Sequence, residues 1–133
     1  MIYAMSMMVF LTAAVAFVAV RARFSSVKNR EMKASYFSLM QGSEMPDQVA
    51  KTTRNFNNLF EVPILFYVVC TLFVALEIES ILATTLAWAF VVLRCVHSYI
   101  HINRNHVRHR LIAFFTSFLC AVALWVVLLV KVS

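Results

Sequence analysis

Residues 111–130 read LIAFFTSFLCAVALWVVLLV, twenty consecutive residues without a charged side chain. An α-helix needs about 20 apolar residues to cross the hydrocarbon core of a bilayer, so this stretch predicts a transmembrane helix. Three further stretches have a similar apolar character: residues 2–20, 59–76 and 81–102. The sequence therefore predicts an all-α protein, a transmembrane four-helix bundle that forms a single domain over residues 1–133.

The composition supports lipid as the solvent of this chain. Apolar residues make up 62% of the chain, charged residues make up 14%, and the mean hydropathy is +0.82. A soluble domain is nearer half apolar and a quarter charged. One Gly and two Pro favour helices over a transmembrane β-barrel. Cys70, Cys95 and Cys120 all fall within apolar spans without metal-type spacing, which indicates buried thiols rather than disulfides.

The basic residues flank the apolar spans and predict a topology. The connection between the first and second spans holds seven Lys or Arg residues, and the connection between the third and fourth spans holds three. The other side has only Lys131, because the connection around Glu77 has no basic residue. Cytoplasmic loops are enriched in Lys and Arg. We therefore predict both termini outside the cytoplasm, and we attribute the net charge of +6 to topology rather than to nucleic-acid binding.

The second span is predicted to begin before its apolar part. Residues 43–47, SEMPD, indicate a turn, with Pro46 near the start of a helix and Asp47 as its N-terminal charge. This helix would run inward from the cytoplasm through Arg54, Asn58 and Glu61, whose spacing of i, i+4 and i+7 places them on one face.

The third span carries polar residues at a similar spacing. Arg94, His97 and His101 stand at i, i+3 and i+7 and are expected on one face of the helix. Because the second and third helices are antiparallel neighbours, Glu61 and Arg94 reach similar depths. An unpaired ion at that depth costs several kcal/mol, so we predict that these two side chains pair.

One ion pair is enough to stabilise the packing of two helices. This sequence has many more polar groups at the cytoplasmic ends of the spans. The candidate site residues are Arg21, Arg23, Arg54, Asn58, Glu61, Arg94, His97, His101 and Arg110. The surplus of arginine suits a small, multiply charged anion that enters from the cytoplasm. The same surplus disfavours a metal ion held by His97, His101 and Glu61, so no metal site is predicted.

Two of these segments resemble signatures of the MAPEG family, the membrane-associated proteins in eicosanoid and glutathione metabolism. Residues 54–63, RNFNNLFEVP, resemble the second-helix signature, in which an Arg, an Asn four residues on and a Glu three further on precede a Pro. Residues 94–101, RCVHSYIH, resemble the third-helix signature of Arg, two residues and His. Arg110 matches the arginine that opens the fourth helix, and Arg21 or Arg23 matches those that end the first.

The resemblance implies a homotrimer that binds glutathione near subunit interfaces on the cytoplasmic side and takes lipophilic electrophiles or lipid peroxides from the bilayer. It implies that Arg110 or Arg21 stabilises the thiolate. It also implies that glutathione is held by Arg23, Arg54, Asn58, Glu61, Arg94, His97 and His101. His101 stands where the family often has Tyr, and Pro63 follows Glu61 closely. These departures look like a bacterial branch, which implies the bacterial inner membrane.

Three functions compete at this stage. A glutathione-dependent transferase or peroxidase is favoured, and a non-enzymatic membrane subunit or scaffold is the alternative. A small proton-coupled multidrug transporter is disfavoured, because the membrane glutamate of such proteins usually lies in the first span. Here the first span is uncharged and the charge bias between the two sides is large.

Overall fold

The computed structural model describes residues 1–33, 36–39 and 45–133, and within these ranges the chain contains helices and no strand. The helices are α1 (Ile2–Lys28), α2 (Tyr36–Leu39), α3 (Asp47–Asn58), α4 (Val62–Ala75), α5 (Ile81–Ile102) and α6 (Val107–Val132). Four segments are long and apolar enough to cross a membrane, namely α1, α3 together with α4, α5, and α6. The predicted all-α architecture with four membrane helices is confirmed.

The core of the bundle lies where these four segments meet. The most extensive packing is between α5 and α6, while α1 packs on α3, α4 and α5. Phe66 of α4 stacks on Phe90 of α5, with ring centroids 4.3 Å apart and planes 6° from parallel. Ala83 and Ala87 of α5 are completely buried. Such small residues let helices approach closely, which is how helices commonly associate in membranes.

The outer surface of the bundle is apolar over the membrane segments. Phe10 and Phe17 of α1 are each 68% exposed, and Leu119 of α6 is 63% exposed. Water-soluble monomers rarely expose apolar patches larger than a few hundred Å². A bilayer covers such a surface with acyl chains, and the helices satisfy their own backbone hydrogen bonds, as the hydrocarbon region requires.

The second membrane segment is interrupted between α3 and α4. α3 ends at Asn58, a turn follows, and α4 begins at Val62 with Pro63 in its first turn. A proline fits a first turn because the N–H that it lacks has no partner within the helix. The prediction that the helix runs through Glu61 is therefore wrong, and Glu61 does not continue the helical face of Arg54 and Asn58.

The start of the second segment agrees with the sequence. Pro46 occupies the position before α3, and Asp47 is the first helical residue. There its carboxylate interacts favourably with the positive end of the helix dipole. In the turn predicted over residues 43–47, Ser43 and Glu44 lie outside the described residues. α5 is capped by Ser80, whose Oγ accepts a hydrogen bond of 3.2 Å from the backbone N–H of Ala83.

Candidate functional site

The polar residues of the third membrane segment lie inside the bundle. Arg94 is completely buried in the protomer, and His97 and His101 are each 2% exposed. Their positions on the buried face of α5 agree with the single face predicted from the spacing. Burial in lipid-spanning segments requires partners for such groups, so the contacts of each side chain decide what it does.

Arg94 joins three helices. Its Nη2 donates a hydrogen bond to the backbone carbonyl oxygen of Asn58 at the end of α3. Its guanidinium carbon lies 5.6 Å from the ring centroid of Phe114 on α6, within the range of a cation–π interaction. The contact with Asn58 is to the backbone, not to the amide side chain that the family resemblance implied as a glutathione ligand.

The pairing predicted between Glu61 and Arg94 is wrong. Within the described parts of the chain, the two side chains form neither a hydrogen bond nor an ion pair, and Arg94 bonds the backbone of Asn58 instead. The physical reason is the helix break. Glu61 lies in the turn between α3 and α4 and is exposed on the protomer, whereas Arg94 is enclosed.

Arg110 is held from three directions at the start of α6. Its Nη1 donates to Asn105 Oδ1 at 2.8 Å and to His101 Nε2 at 3.3 Å. Its backbone carbonyl accepts from His97 Nδ1 at 3.1 Å. We assign the tautomers from these roles, since a carbonyl accepts and a guanidinium donates: His97 carries its proton on Nδ1, and His101 Nε2 accepts. His101 and Asn105 therefore orient the guanidinium of Arg110, while His97 holds its backbone.

Asn105 was not predicted as a site residue. It lies in the connection between α5 and α6 with φ of 48°, in the left-handed region that asparagine tolerates better than most residues. This backbone geometry belongs to the tight turn that brings Oδ1 to Arg110. The sequence does show an asparagine in a short connection, just before a helix that begins with basic residues. That pattern alone does not tell whether the asparagine only forms the turn or also binds an arginine side chain.

A small cleft opens beside Arg110, between α3 and the connection from α5 to α6. It has a volume of about 130 Å³. Its polar lining is Asp47, Lys51, Arg54, His101, Asn105 and Arg110. We call it the basic cleft, because three of these side chains are cationic and one is acidic. Complete ligand pockets are usually about 300–1,000 Å³, so this cleft suits one end of an anionic ligand, such as a carboxylate.

The two arginines that end α1 take different positions. Arg23 is half-buried and donates through Nη2 to Thr53 Oγ1 at 3.3 Å, while its guanidinium carbon lies 5.8 Å from the ring centroid of Phe37. Arg21 is exposed and lines a separate cleft of about 340 Å³ between α1 and α3. Neither arginine lines the basic cleft.

The protomer thus brings together only part of the predicted set. The basic cleft is lined by Arg54, His101 and Arg110. His97 does not line it but bonds the backbone carbonyl of Arg110. Arg94 and Asn58 meet deeper in the bundle. The remaining predicted residues, Arg21, Arg23 and Glu61, lie outside the basic cleft.

Comparison with known proteins gives one match. Neither a curated protein nor a solved structure matches the chain. The model of the MAPEG family matches residues 1–130, which include every candidate site residue and the four membrane segments except the last two residues of α6. With its four membrane helices, the chain is an integral membrane protein, and the match supports a role in glutathione or eicosanoid metabolism at the membrane. The chain belongs to the MAPEG family.

Proposed function

We propose that this protein is a membrane-bound, glutathione-dependent transferase or peroxidase that acts on lipophilic electrophiles. The observation that carries the proposal is the fixed position of Arg110, held by Asn105, His101 and His97 at the edge of the basic cleft. A guanidinium oriented before binding stabilises a developing anion without the cost of reorganisation. The association of the family with glutathione supports a thiolate as that anion.

The charges of the basic cleft fit one end of glutathione. Glutathione carries two carboxylates and one amine, and Lys51 and Arg54 line the cleft beside Arg110. Guanidinium groups bind carboxylates with two parallel hydrogen bonds, so we assign one carboxylate to Arg54. The cleft is too small for the whole tripeptide, so the rest of the molecule extends over the protomer surface, where Arg21 and Glu61 are exposed.

The chemistry follows from the pKa of a thiol. A free cysteine thiol has a pKa of about 8.5 and is mostly protonated at neutral pH, whereas the thiolate is the nucleophile. The positive charge of Arg110 near the sulfur would lower the pKa of the bound thiol. The thiolate then attacks the electrophilic carbon of the second substrate, a sulfur–carbon bond forms, and the leaving group departs with the electron pair of the bond that breaks.

We also propose that the working form is a homotrimer with its basic connections in the cytoplasm. Glu61 is exposed on the protomer although it lies within a segment apolar enough to cross a membrane. Charged side chains at membrane depth normally face protein or a hydrated cavity rather than lipid. A subunit packed against the turn between α3 and α4 would provide such surroundings and would complete the ligand site.

A non-enzymatic membrane subunit is the second candidate. The observation in its favour is that Arg94 bonds a backbone carbonyl, so one of the predicted glutathione ligands stabilises the bundle instead. A chain that retained only this role would keep its fold and bind no thiol.

The test is thiolate formation on the purified protein. Addition of glutathione should increase the ultraviolet absorbance of thiolate in the wild type and not in Arg110→Ala. Arg104→Ala is the matched control, because Arg104 is an exposed arginine in the same connection. Binding without a thiolate signal in the wild type would contradict the role of Arg110. No binding at all would favour the non-enzymatic subunit.

A further inference from the structure

We propose that the interface between α3 and α5 holds an internal hydration site, in which water molecules bind Asn55, Arg94 and Ser98 and exchange with solvent through the basic cleft. This site is independent of glutathione binding. It would lie inside a single protomer, at a depth where an ordinary membrane bundle is dry.

The first observation is a set of buried polar atoms without partners. Asn55 and Arg94 are completely buried and Ser98 is 3% exposed. Among the residues that the structure describes, no hydrogen-bond partner reaches Asn55 Oδ1 or Nδ2, Arg94 Nε or Nη1, or Ser98 Oγ. A buried polar group without a partner costs about 1–3 kcal/mol, so native proteins satisfy such groups with protein atoms or with bound water.

Two contacts fix how α3 and α5 are aligned, and Asn55 and Ser98 fall between them in sequence. At the deeper level Arg94 bonds the carbonyl of Asn58, and at the outer level Arg54 and His101 line the same cleft. Asn55 stands between Arg54 and Asn58 in sequence, and Ser98 stands between Arg94 and His101. Because α3 and α5 are antiparallel, these positions place Asn55 and Ser98 at about the same depth.

The hydroxyl of Ser98 differs from others in the membrane segments. The hydroxyls of Thr12, Thr52, Thr85, Thr116 and Ser117 each donate to a backbone carbonyl three or four residues earlier. This local bond is the usual solution for a hydroxyl in a helix. Ser98 makes no such bond among the described residues, although it is on a regular helix. Its hydroxyl is therefore available to a molecule in the interface.

The mixture of donors and acceptors identifies the ligand as water. Arg94 offers N–H donors, Asn55 offers an amide donor and a carbonyl acceptor, and a hydroxyl such as that of Ser98 can do both. A small anion could accept from Arg94 but could not donate to Asn55 Oδ1. Water does both, and buried water typically makes about three hydrogen bonds to groups that lack other partners.

A route to solvent follows the same face of α5. Arg94, Ser98 and His101 stand at i, i+4 and i+7, so they form one continuous row. His101 ends that row in the lining of the basic cleft. Its Nδ1 is also buried without a partner among the described residues, so the row of unsatisfied polar atoms extends to the cleft.

The test uses a thiol as a local sensor of water. Ser98→Cys replaces the hydroxyl with a thiol whose S–H stretch is separate from other protein bands in the infrared. On transfer to D₂O, a thiol in contact with exchanging water becomes S–D quickly. Val91→Cys is the matched control, because Val91 lies two turns away on the same buried face of α5, within the apolar core. The spectrum of the wild type is subtracted from each variant to remove the three native thiols.

We expect exchange at position 98 to be at least about ten times faster than at position 91. Asn55→Cys provides a second sensor on α3 in case Ser98→Cys does not fold, and it should exchange as fast as the thiol at position 98. Equally slow exchange at positions 98 and 91, or at 55 and 91 if the second sensor is used, would overturn the proposal. Neither result depends on glutathione, so the outcome is separable from that of the proposed function.

Discussion

The guanidinium of Arg94 donates a hydrogen bond to the backbone carbonyl oxygen of Asn58, the last residue of α3. The last carbonyls of a helix have no partner within it, and in a membrane each unsatisfied group costs several kcal/mol. The buried arginine of α5 therefore satisfies a backbone group at the end of α3. The break in the second membrane segment exposes a carbonyl, and the buried arginine of the third segment binds it.

Loss of this interaction should destabilise the fold. We expect Arg94→Met to lower the free energy of unfolding in detergent by about 1–3 kcal/mol, because the part-buried carbonyl of Asn58 loses its partner. Glu61→Gln should have a much smaller effect, since Glu61 is exposed on the protomer and does not pair with Arg94. Denaturant unfolding followed by far-ultraviolet circular dichroism measures both. Equal losses in the two variants would restore the ion pair that the sequence suggested.

Asn105 should act by orienting Arg110. Asn105→Ala removes the acceptor at 2.8 Å from Arg110 Nη1, so we expect the rate of thiol addition at saturating glutathione to fall about 3- to 10-fold. Glutathione affinity should change little. Asn103→Ala is the matched control, because Asn103 is exposed in the same connection. Asn105→Asp keeps an acceptor oxygen, but its negative charge offsets that of Arg110. It should therefore recover only part of the rate, and no recovery at all would argue against orientation as the role.

Arg110 and Arg54 should have different roles in the site, Arg110 in the reaction and Arg54 in binding. Arg110→Ala should lower the rate of thiol addition to a standard electrophile by about 100-fold, with a smaller effect on glutathione binding, because its charge acts on the thiolate. Arg110→Lys should recover only part of the rate, since lysine keeps the charge but not the planar fork.

Arg54→Ala should show the reverse pattern, with affinity reduced about 10-fold and the rate at saturating thiol largely kept. Titration calorimetry and steady-state kinetics on the same preparations separate the two effects. Losses of equal size and kind in both variants would mean that the roles are assigned wrongly.

The proposed trimer can be tested directly by native mass spectrometry in mild detergent. We expect a trimer to be the main species for the wild type. A bulky substitution at the exposed turn between α3 and α4, such as Phe60→Trp, should weaken the trimer if that turn lies at a subunit contact. Thr84→Trp adds even more bulk, but on the exposed surface near the opposite end of the bundle, and should not weaken the trimer. A wild type found only as monomers or dimers would contradict the proposal.

The fold could be predicted from the sequence because the lipid environment restricts the structures that a chain can adopt. Every backbone group in the hydrocarbon region must be satisfied, so long apolar stretches become helices, and the spans around residues 2–20 and 111–130 needed no other information. The face shared by Arg94, His97 and His101 could be predicted for the same reason, since its helix is regular.

The prediction failed where a regular helix was assumed and was absent. The spacing of Arg54, Asn58 and Glu61 implies one face only if the helix continues, and the segment breaks before Glu61. Pro63 was the warning, because proline often stands in the first turn of a new helix. The partner of Arg94 was not predictable from residue types at all, since a backbone carbonyl is present at every position.

The break also leaves α4 short. Its 14 residues rise about 21 Å, against a hydrocarbon thickness of about 30 Å. The polar α3 cannot extend it through the acyl chains unaided, so we expect lipids beside this segment to shorten and the headgroup layer to dip toward Glu61. An amphiphile diffusing in that leaflet would then reach the turn with its tail still among acyl chains and its polar end already hydrated. The thinned bilayer beside this segment would thus be the route by which substrate enters. Bilayers of thicker lipids should slow the arrival of substrate.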